Sequence, residues 1–390
     1  SSSVLTAHII CRKGSVANPM ASITSYSSKS RGRLVTGILA LIPLLVSLVA
    51  LVWGFFFLRD IQLANDSNIP QVVTVFMAII WGVGGVVLLF TTANFFIEQL
   101  PDAWVRRLQP VLFVGPAILM LVWALVLPTI RTLILSFYDE ASANLIWFEN
   151  FKFVFTNDAM LVVFRNNLLW MIFGTLFTVS SGLLIAILAD RSKFESFAKA
   201  LIFMPMAISF VGAGVIWNFV YSVKPVDAPQ IGLLNSLVVY FGGQPQAWTA
   251  FFQPWNNFFL ILIVIWLQTG YAMVLFSAAI KGVPSEILEA ARVDGATELQ
   301  LFFRIMIPQI MGTIITVSTT IIIFTLKIFD VVIVMTGGQY GTSVIATEFY
   351  RQYFTYNNNG VGSAIAIILL VAVTPVMAYN LRQFAHREAF

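Results

Sequence analysis

The chain of 390 residues alternates between long apolar segments and short polar connections. A helix needs about 20 predominantly apolar residues to cross the hydrocarbon core of a bilayer. Segments of that length lie at 34–58, 72–97, 111–137, 161–189, 200–221, 258–280, 309–333 and 363–384. The pattern therefore predicts an all-α integral membrane protein, a polytopic bundle of about eight transmembrane helices.

Composition supports this prediction and argues against several other classes of function. Hydrophobic residues make up 59% of the chain and charged residues only 10%, a balance that a soluble domain of this length does not show. The net charge is +4, but Lys and Arg are scattered between apolar segments, which argues against nucleic-acid binding. With one cysteine, Cys11, and two histidines, we expect no intramolecular disulfide, no metal and no cofactor bound by this chain.

The distribution of positive charge predicts the topology. If the first 33 residues lie in the cytosol, an even number of crossings returns the C-terminus to the same side. Most of the 22 Lys and Arg residues then fall in cytosolic segments, as the positive-inside rule requires. Both termini are therefore expected in the cytosol, together with the polar connection 281–308.

The segments divide into a tail, an accessory pair and a core. Residues 1–33 form a cytosolic tail, of which 1–19 are either upstream sequence or a native disordered tail. Residues 34–110 supply two accessory transmembrane helices and a cytosolic turn. Residues 111–390 form a core of six transmembrane helices with an outer loop, 222–257. That loop, punctuated by Pro and Gly, is expected to dock a substrate-binding protein, to cap the membrane surface, or to do both.

We call residues 281–308 the elbow, because local signals predict two short helices joined by a turn. Ser285 is suited to cap the first helix, and Gly295 supplies the left-handed stop after it. Thr297 and Gln300 form a capping box for the second helix, which Pro308 ends. A compact, rigid and polar elbow between apolar segments is suited to be gripped by another protein.

The elbow resembles the EAA loop of importer permeases of the ABC class. The order Glu-Ala-Ala, three residues, Gly, and then Ile-x-x-Pro carries the resemblance, with Ile307 where the family usually has Leu. In that family the loop sits in a cleft of a separate ATPase subunit. The resemblance therefore implies that ATPase coupling is carried by Glu289, Ala290, Ala291, Asp294, Gly295 and Pro308.

A second resemblance covers roughly residues 75–385 and narrows the family. The passages 201–221, 230–235, 243–248, 254–259 and 329–342 look like the α-glucoside branch of the maltose-type sugar permeases. Many sugar permeases have Gly-Gly-Pro near Gly337 and Gly338, whereas this chain has Gln339, as that branch does. The implied substrate is an α-glucoside such as sucrose, trehalose or maltose, with the compatible solute glucosylglycerol as a close competitor.

The resemblance also implies a type I importer fold, a location and a set of partners. The location is the bacterial cytoplasmic membrane. The partners are a second, different permease subunit, two copies of an ABC ATPase, an extracytoplasmic sugar-binding protein and membrane lipid. The chain has no G-x-x-x-x-G-K-[ST] motif to cradle a nucleotide, so ATP and Mg are expected to act in the ATPase subunits, and this chain is not an enzyme.

Polar residues inside apolar spans are candidates for the substrate pathway, because they are costly there. Gln268 and Tyr271 lie on one face of the sixth span and offer an amide and a phenol to sugar hydroxyls. The resemblance adds that Tyr271 matches a sugar-contacting tyrosine of maltose permease and that Phe324, Thr325 and Ile328 match positions lining its sugar site. The alternative for these five residues is helix packing. Two weaker candidates are Ser209 and Asn218.

Lys327 and Asp330 are a separate case, because both are ionisable. Their spacing within the predicted seventh span favours an intramembrane ion pair. The alternatives are an ionic contact near the sugar, or a proton or ion relay as in a secondary transporter or channel. Such a transporter has no reason to carry the elbow, and a purely structural membrane scaffold would leave Gln268, Tyr271 and Thr325 unexplained.

Overall fold

The computed structural model describes residues 19–63, 70–250 and 253–387, and the side chains of 39–61, 70–250 and 253–382 among them. Residues 1–18 of the N-terminal tail, with Cys11, lie outside the described residues. The prediction for residues 1–19 therefore stays a prediction. The described chain consists of helices, turns and an isolated antiparallel bridge between Tyr138 and Leu145. The all-α fold predicted from the sequence is confirmed.

Seventeen α-helices follow one another along the described chain. They are α1 Pro19–Leu63, α2 Gln71–Glu98, α3 Asp102–Leu121, α4 Leu127–Leu135, α5 Glu149–Thr156, α6 Asp158–Leu169, α7 Thr175–Asp190, α8 Glu195–Phe203, α9 Phe210–Val220, α10 Leu233–Tyr240, α11 Trp255–Lys281, α12 Ser285–Val293, α13 Glu298–Leu301, α14 Ile307–Leu326, α15 Asp330–Thr336, α16 Ile345–Tyr350 and α17 Asn359–Arg387. Turns of π-helix at Val122–Val126, Trp170–Gly174 and Phe302–Met306 join α3 to α4, α6 to α7 and α13 to α14.

The number of membrane spans agrees with the sequence pattern. Seven described helices or helix runs are long and apolar enough to cross a membrane: Leu39–Ile61, Gln71–Glu98, Asp102–Leu135, Asp158–Asp190, Trp255–Lys281, Glu298–Leu326 and Asn359–Arg382. The eighth is the predicted fifth span, which is a pair of helices, Glu195–Ala207 and Phe210–Val220, bent by 102°. Below, spans are numbered with this pair as the fifth.

Local chemistry explains the bend of the fifth span. Pro205 lies in a 3-10 turn, Met204–Ala207, and Ile208 after it is extended, with ψ 136°. The hydroxyl oxygen of Ser209 then accepts a hydrogen bond from the Gly212 N–H at 3.0 Å and caps the start of α9. A proline followed by a new N-cap ends one helix and begins another, so the span cannot run straight.

The seventh span differs from its predicted bounds of 309–333. Its helix runs from Glu298 to Leu326, stops at residues 327–329, and resumes as α15. Pro308 does not end a helix as predicted, because the chain continues through the π-turn Phe302–Met306. The wider π-turn makes room for a proline ring that would meet the carbonyl four residues earlier in an α-helix.

The described residues separate into two compact units, divided between Pro128 and Thr129. The division falls inside the third span, whereas the sequence suggested a boundary at residue 110. In the first unit, α1 and α2 pack through small residues: a Cβ on Gly54 would lie 2.1 Å from the Trp81 ring, and the hydroxyls of Ser47 and Thr92 are 3.0 Å apart. Close helix approach through small residues is the usual packing inside membranes.

The core of the second unit is built around α11. Its buried residues Leu260, Ile263, Val264 and Leu267 pack with side chains from the fourth and fifth spans and from α15. Gly182 on α7 approaches α11 closely, because a Cβ there would lie 2.5 Å from the Ala272 Cβ and 3.0 Å from the Met273 nitrogen. The sixth span is therefore the central helix of this unit.

The close approach at Gly182 generates a prediction. Gly182→Val should lower stability by about 1–3 kcal/mol, because the added methyl groups overpack a contact that has no free space. Gly84→Val is the matched control, since a Cβ at Gly84 meets nothing within 4 Å. The measurement is the midpoint of thermal unfolding of the purified protein in detergent. Equal midpoints for the two variants would contradict the packing described here.

Candidate functional site

The elbow has nearly the local structure that its sequence predicts. The helix α12 is followed by Gly295 in the left-handed region, with φ +81°, and by the capping box of Thr297 and Gln300. In that box the Gln300 N–H donates to the Thr297 hydroxyl at 3.3 Å, and the Thr297 N–H donates to the Gln300 side-chain oxygen at 2.9 Å. One detail differs: α12 begins at Ser285 itself, after Pro284, so Ser285 is not the N-cap.

The surface of the elbow is unusually open. Helix α12 buries none of its residues within the described chain, and Glu289, Ala290 and Asp294 are all exposed. Three apolar side chains are exposed there as well: Val293 at 88%, Leu299 at 71% and Phe303 at 63%. Ala291 is half-buried, and Gly295 and Pro308 are exposed. A rigid surface that combines apolar and acidic side chains is suited to bind a protein partner.

A cluster of charges, which we call the base cluster, lies where three spans end next to the elbow. It consists of Asp190 from α7, Glu195 and Lys199 from α8, and Ser277 and Lys281 from α11. The Lys199 ammonium lies 2.5 Å from Asp190 and 2.6 Å from Glu195, and Lys281 pairs with Glu195. Ser277 donates to Asp190 at 2.7 Å and accepts from Lys199. The base cluster therefore ties α7, α8 and α11 together just before α11 leads into α12.

A second set of ion pairs connects the elbow to the loop after α7. Glu298 pairs with Arg292 of α12 at 3.0 Å and with Arg191 at 3.7 Å. All three side chains are about half exposed or more, so each pair contributes little stability by itself. Their effect is positional, because they hold the two short helices of the elbow in one arrangement.

The broken fifth and seventh spans lie side by side. The amide of Asn218 on α9 donates to the Val334 carbonyl on α15 at 3.4 Å, and a Cβ on Gly214 would lie 2.8 Å from the Val334 side chain. At the level of the breaks, the Phe210 ring stacks on Phe324 with centroids 4.8 Å apart. Of the weaker candidates for substrate contact, Ser209 caps α9 and Asn218 joins it to α15.

Gln268 and Tyr271, the candidates on the sixth span, both lie on α11. Both are half-buried, and neither side chain makes a hydrogen bond to another described residue. Tyr271 packs against the cluster that includes Met273, Phe276 and Ile321. The amide and the phenol therefore keep their hydrogen-bonding groups available.

The candidates on the seventh span differ from one another. Phe324 is half-buried, but Thr325 and Ile328 are 0% and 2% exposed. The Thr325 hydroxyl donates within its own helix, to the carbonyls of Ile321 and Ile322 at 3.0 and 3.1 Å. The structure therefore places Thr325 and Ile328 in the packed core and leaves only Phe324 of the three near an open surface.

Lys327 and Asp330 do not form the predicted ion pair. No ion pair joins them among the described residues, and Lys327 is exposed while Asp330 is half-buried. The prediction assumed one continuous helix, in which residues three apart share a face. Because α14 ends at Leu326 and α15 begins at Asp330, that geometry does not apply.

Four buried asparagines form a clamp that sequence reasoning missed. Asn166 donates to the carbonyls of Gly341 and Ser343 at 2.7 and 2.8 Å, and Asn256 donates to the Tyr340 carbonyl at 2.7 Å. These bonds hold a turn with positive φ at Gly337, Gly338, Tyr340 and Gly341. The other two members are Asn167 and Asn257. The signal was present in the sequence as two Asn-Asn pairs, each at the start of an apolar segment.

The outer loop is ordered by its own polar side chains. The amide of Asn235 on α10 donates to the carbonyls of Ser222 and Gln246 at 2.9 and 3.0 Å, and its oxygen accepts from the Gln246 N–H. Trp248 lies against Phe259 at 5.0 Å. The loop is thus a small folded cap over the start of α11, apart from residues 251 and 252, which lie outside the described residues.

Comparison with known families identifies the family of the chain. Residues 179–385 match the family described as binding-protein-dependent transport system inner membrane component. The chain belongs to this family. The matched region includes the fifth to eighth spans, the outer loop and the elbow, and the permease family inferred from the sequence is confirmed.

Two proteins similar to this permease are themselves named as permease proteins. The osmoprotective compounds uptake permease protein GgtC of Synechocystis is 52% identical over 277 residues, which cover 71% of this chain and 99% of the relative. The alpha-glucoside transport system permease protein AglF of Rhizobium meliloti is 45% identical over 285 residues, covering 73% of this chain and 84% of the relative.

A solved structure of similar fold is a bacterial ABC transporter involved in the import of the acidic polysaccharide alginate. It aligns with a TM-score of 0.61 at 23% identity, covering 72% of this chain and 99% of the other. At that identity the likeness concerns the fold, and it confirms the predicted importer permease architecture.

The base cluster of the permease generates a prediction. Lys199→Met should lower stability by about 3 kcal/mol, because it leaves Asp190, whose side chain is 13% exposed, without its cation. Asp190→Asn combined with Lys199→Met should recover much of the loss. Asp60→Asn is a control that breaks an exposed pair, and it should cost less than about 1 kcal/mol. Thermal unfolding in detergent measures all three, and a double variant no more stable than Lys199→Met would contradict the interpretation.

Proposed function

We propose that this permease is the membrane-spanning subunit of an ATP-driven importer that moves an α-glucoside or a related neutral compatible solute into the cytoplasm. The observation that carries the proposal is the exposed elbow, whose shape is set by Gly295 and whose position next to the base cluster suits it to transmit force. The substrate class is supported by the names of the relatives GgtC and AglF.

Energy for transport is proposed to come from separate ATPase subunits that bind the elbow. The chain has no nucleotide-binding P-loop motif of its own. Exposed Val293, Leu299 and Phe303 provide apolar contact, and the nearby carboxylates Glu289 and Asp294 provide charge for orientation. An ATPase that seats these side chains in a cleft would remove them from water.

The elbow is joined to the membrane on both sides by short or rigid connections. Residues 282–284 alone separate its first helix, α12, from the end of α11, and the helix from Glu298 runs into the seventh span without a break until Leu326. Movement of the elbow would therefore shift the sixth and seventh spans together. Those two spans carry Tyr271 and Phe324, so the same movement would open the site alternately to the two sides.

The remaining partners follow from the proposed class of transporter. They are a second, different permease subunit that completes the pathway, two copies of the ATPase, and an extracytoplasmic binding protein that docks on the outer cap. Both termini are proposed to lie in the cytosol, and ATP with Mg to act only in the ATPase subunits. An ion-coupled transporter was the competing hypothesis, and it offers no role for an exposed elbow.

Coupling through the elbow generates a prediction. Gly295→Val should reduce both ATPase co-purification and uptake, because a residue other than glycine in the left-handed region costs about 1–2 kcal/mol and a β-branched one fits worst. Gly295→Asn is the matched control, since asparagine tolerates this conformation, and a Cβ here meets nothing within 4 Å. Glu289→Lys should act like Gly295→Val through repulsion at the cleft. If Gly295→Val and Glu289→Lys both bind the ATPase and take up solute as the wild type does, the elbow is not the coupling site.

Uptake by the reconstituted importer tests the proposed function itself. Vesicles holding the permease, its partner permease and the ATPase, supplied with the binding protein, should accumulate at least one of sucrose, trehalose, maltose and glucosylglycerol when ATP is enclosed. Tyr271→Phe and Gln268→Ala should each lower uptake several-fold, because one neutral hydrogen bond is worth about 0.5–1.5 kcal/mol. Assembly should be unchanged. Uptake driven by a proton or sodium gradient without ATP would contradict the proposal.

A further inference from the structure

The break in the seventh span is an ordered turn held from one side. The Leu326 carbonyl accepts a hydrogen bond from the Asn167 amide at 3.2 Å. The N–H groups of Lys327 and Ile328 turn back to the carbonyls of Phe324 and Thr325 at 3.1 and 3.3 Å. Ile328 is 2% exposed and packs in the core around α11. The break therefore has a buried side and an open side.

Lys327 and Asp330 lie on the open side without partners. Lys327 is exposed and Asp330 is partly exposed, and neither side chain makes an ion pair or a hydrogen bond to another residue that the structure describes. Other charges of this unit that are largely buried are paired, such as Glu348 with Arg351 at 3.0 Å. Because unpaired charge beside an apolar span is costly, these two groups require water or a polar ligand in front of them.

Aromatic residues precede and follow the break along the chain. The Phe324 and Phe210 rings stack just before the break, and the Phe329 ring lies 5.5 Å from Tyr350 just after it. The break of the fifth span is adjacent, since Phe210 is the first residue of α9. Neighbouring discontinuous helices are where membrane transporters bind polar substrates, and ligand sites combine aromatic surface with a few placed polar groups.

We propose that Lys327 and Asp330 contact the transported solute and determine its specificity. An ammonium group only donates hydrogen bonds, a carboxylate only accepts them, and a sugar hydroxyl does both, so the two groups together suit neighbouring hydroxyls. Their charges sum to zero, which fits a neutral polyhydroxy compound. This inference rests on the proposed function. The resemblance implied sugar contacts for Thr325 and Ile328, which are buried, and the inference assigns such contacts to Lys327 and Asp330 instead.

The proposal predicts strong discrimination between closely related solutes. Hydrogen bonds to a charged group are about twice as strong as neutral ones, and a site rejects an analogue that leaves its polar groups unpaired. Lys327→Met and Asp330→Asn should therefore each raise KM for uptake roughly ten- to a hundredfold, with a smaller effect on the maximal rate. Lys327→Arg, which keeps the charge, should lose less.

The decisive experiment pairs these variants with altered solutes. Initial uptake rates are measured in the reconstituted importer for the best-imported glucoside of the panel and for its analogues that each lack one hydroxyl. One analogue lacks the hydroxyl bound by Lys327. For this analogue, Lys327→Met should lower the uptake rate little further, because the same hydrogen bond is already absent. The same test applies to Asp330→Asn. Lys193→Met and Asp102→Asn remove exposed charges far along the chain and should change no KM.

Four outcomes would overturn the inference. If Lys327→Met lowers the uptake rate equally for the glucoside and for every analogue, Lys327 has a structural role. Loss of the second permease from the purified complex would show that Lys327 instead pairs with that subunit. An unchanged KM in both variants, with normal uptake by the wild type, would refute the inference alone. If the wild type imports no glucoside, the proposed function and this inference both fail.

Discussion

Inside a bilayer every backbone polar group must find its hydrogen-bond partner within the protein, and the core of this permease depends on how two broken spans meet that requirement. The fifth span is interrupted near Pro205 and restarted by the Ser209 hydroxyl. The seventh is interrupted at 327–329, where the Asn167 amide binds the freed Leu326 carbonyl. The asparagine clamp then satisfies the carbonyls of the turn that follows α15. Without these bonds neither break would be tolerated at membrane depth.

The same asparagines explain why the breaks lie together. Asn166 and Asn167 lie in the fourth span, and Asn256 and Asn257 lie at the start of the sixth. All four are at most 3% exposed. The amides of Asn166, Asn167 and Asn256 reach the seventh span and the turn beyond α15, so the fourth and sixth spans hold the irregular segments from one side. This leaves the opposite side of the break open, with Lys327 and Asp330 on it. A rigid scaffold behind and polar groups in front is the arrangement that a solute site requires.

Ion pairs connect the elbow to the neighbouring helices. The base cluster joins the ends of α7, α8 and α11, and Glu298 binds charges from the elbow and from the loop after α7. Because α8 leads into the bent fifth span and α11 leads into the elbow, the base cluster lies between the elbow and the fifth span. The exposed pairs are weak individually, whereas the Asp190–Lys199 pair is shielded from water and costly to break.

The sequence by itself determined the local features of this permease. Apolar length predicted the spans, and Gly295 with the Thr297–Gln300 capping box predicted the shape of the elbow, because these signals act over a few residues. Family membership also followed from the order of residues around Glu289. Much less of the candidate site could be predicted. Gln268 and Tyr271 kept their predicted positions on one face of α11, where periodicity holds.

Only the tertiary structure decided which residues of the seventh span face the open side. Helical periodicity assumed that the span continued through residue 333, and it therefore paired Lys327 with Asp330, while the resemblance placed Thr325 and Ile328 at the sugar site. The helix stops at Leu326 because its freed carbonyl binds Asn167, which is distant in the sequence. Beyond that contact the chain no longer follows the helix, so Ile328 is buried while Lys327 is exposed, and Thr325 is buried in the last turn of α14. A partner so far along the chain leaves no local signal, and only packing brings it to the break.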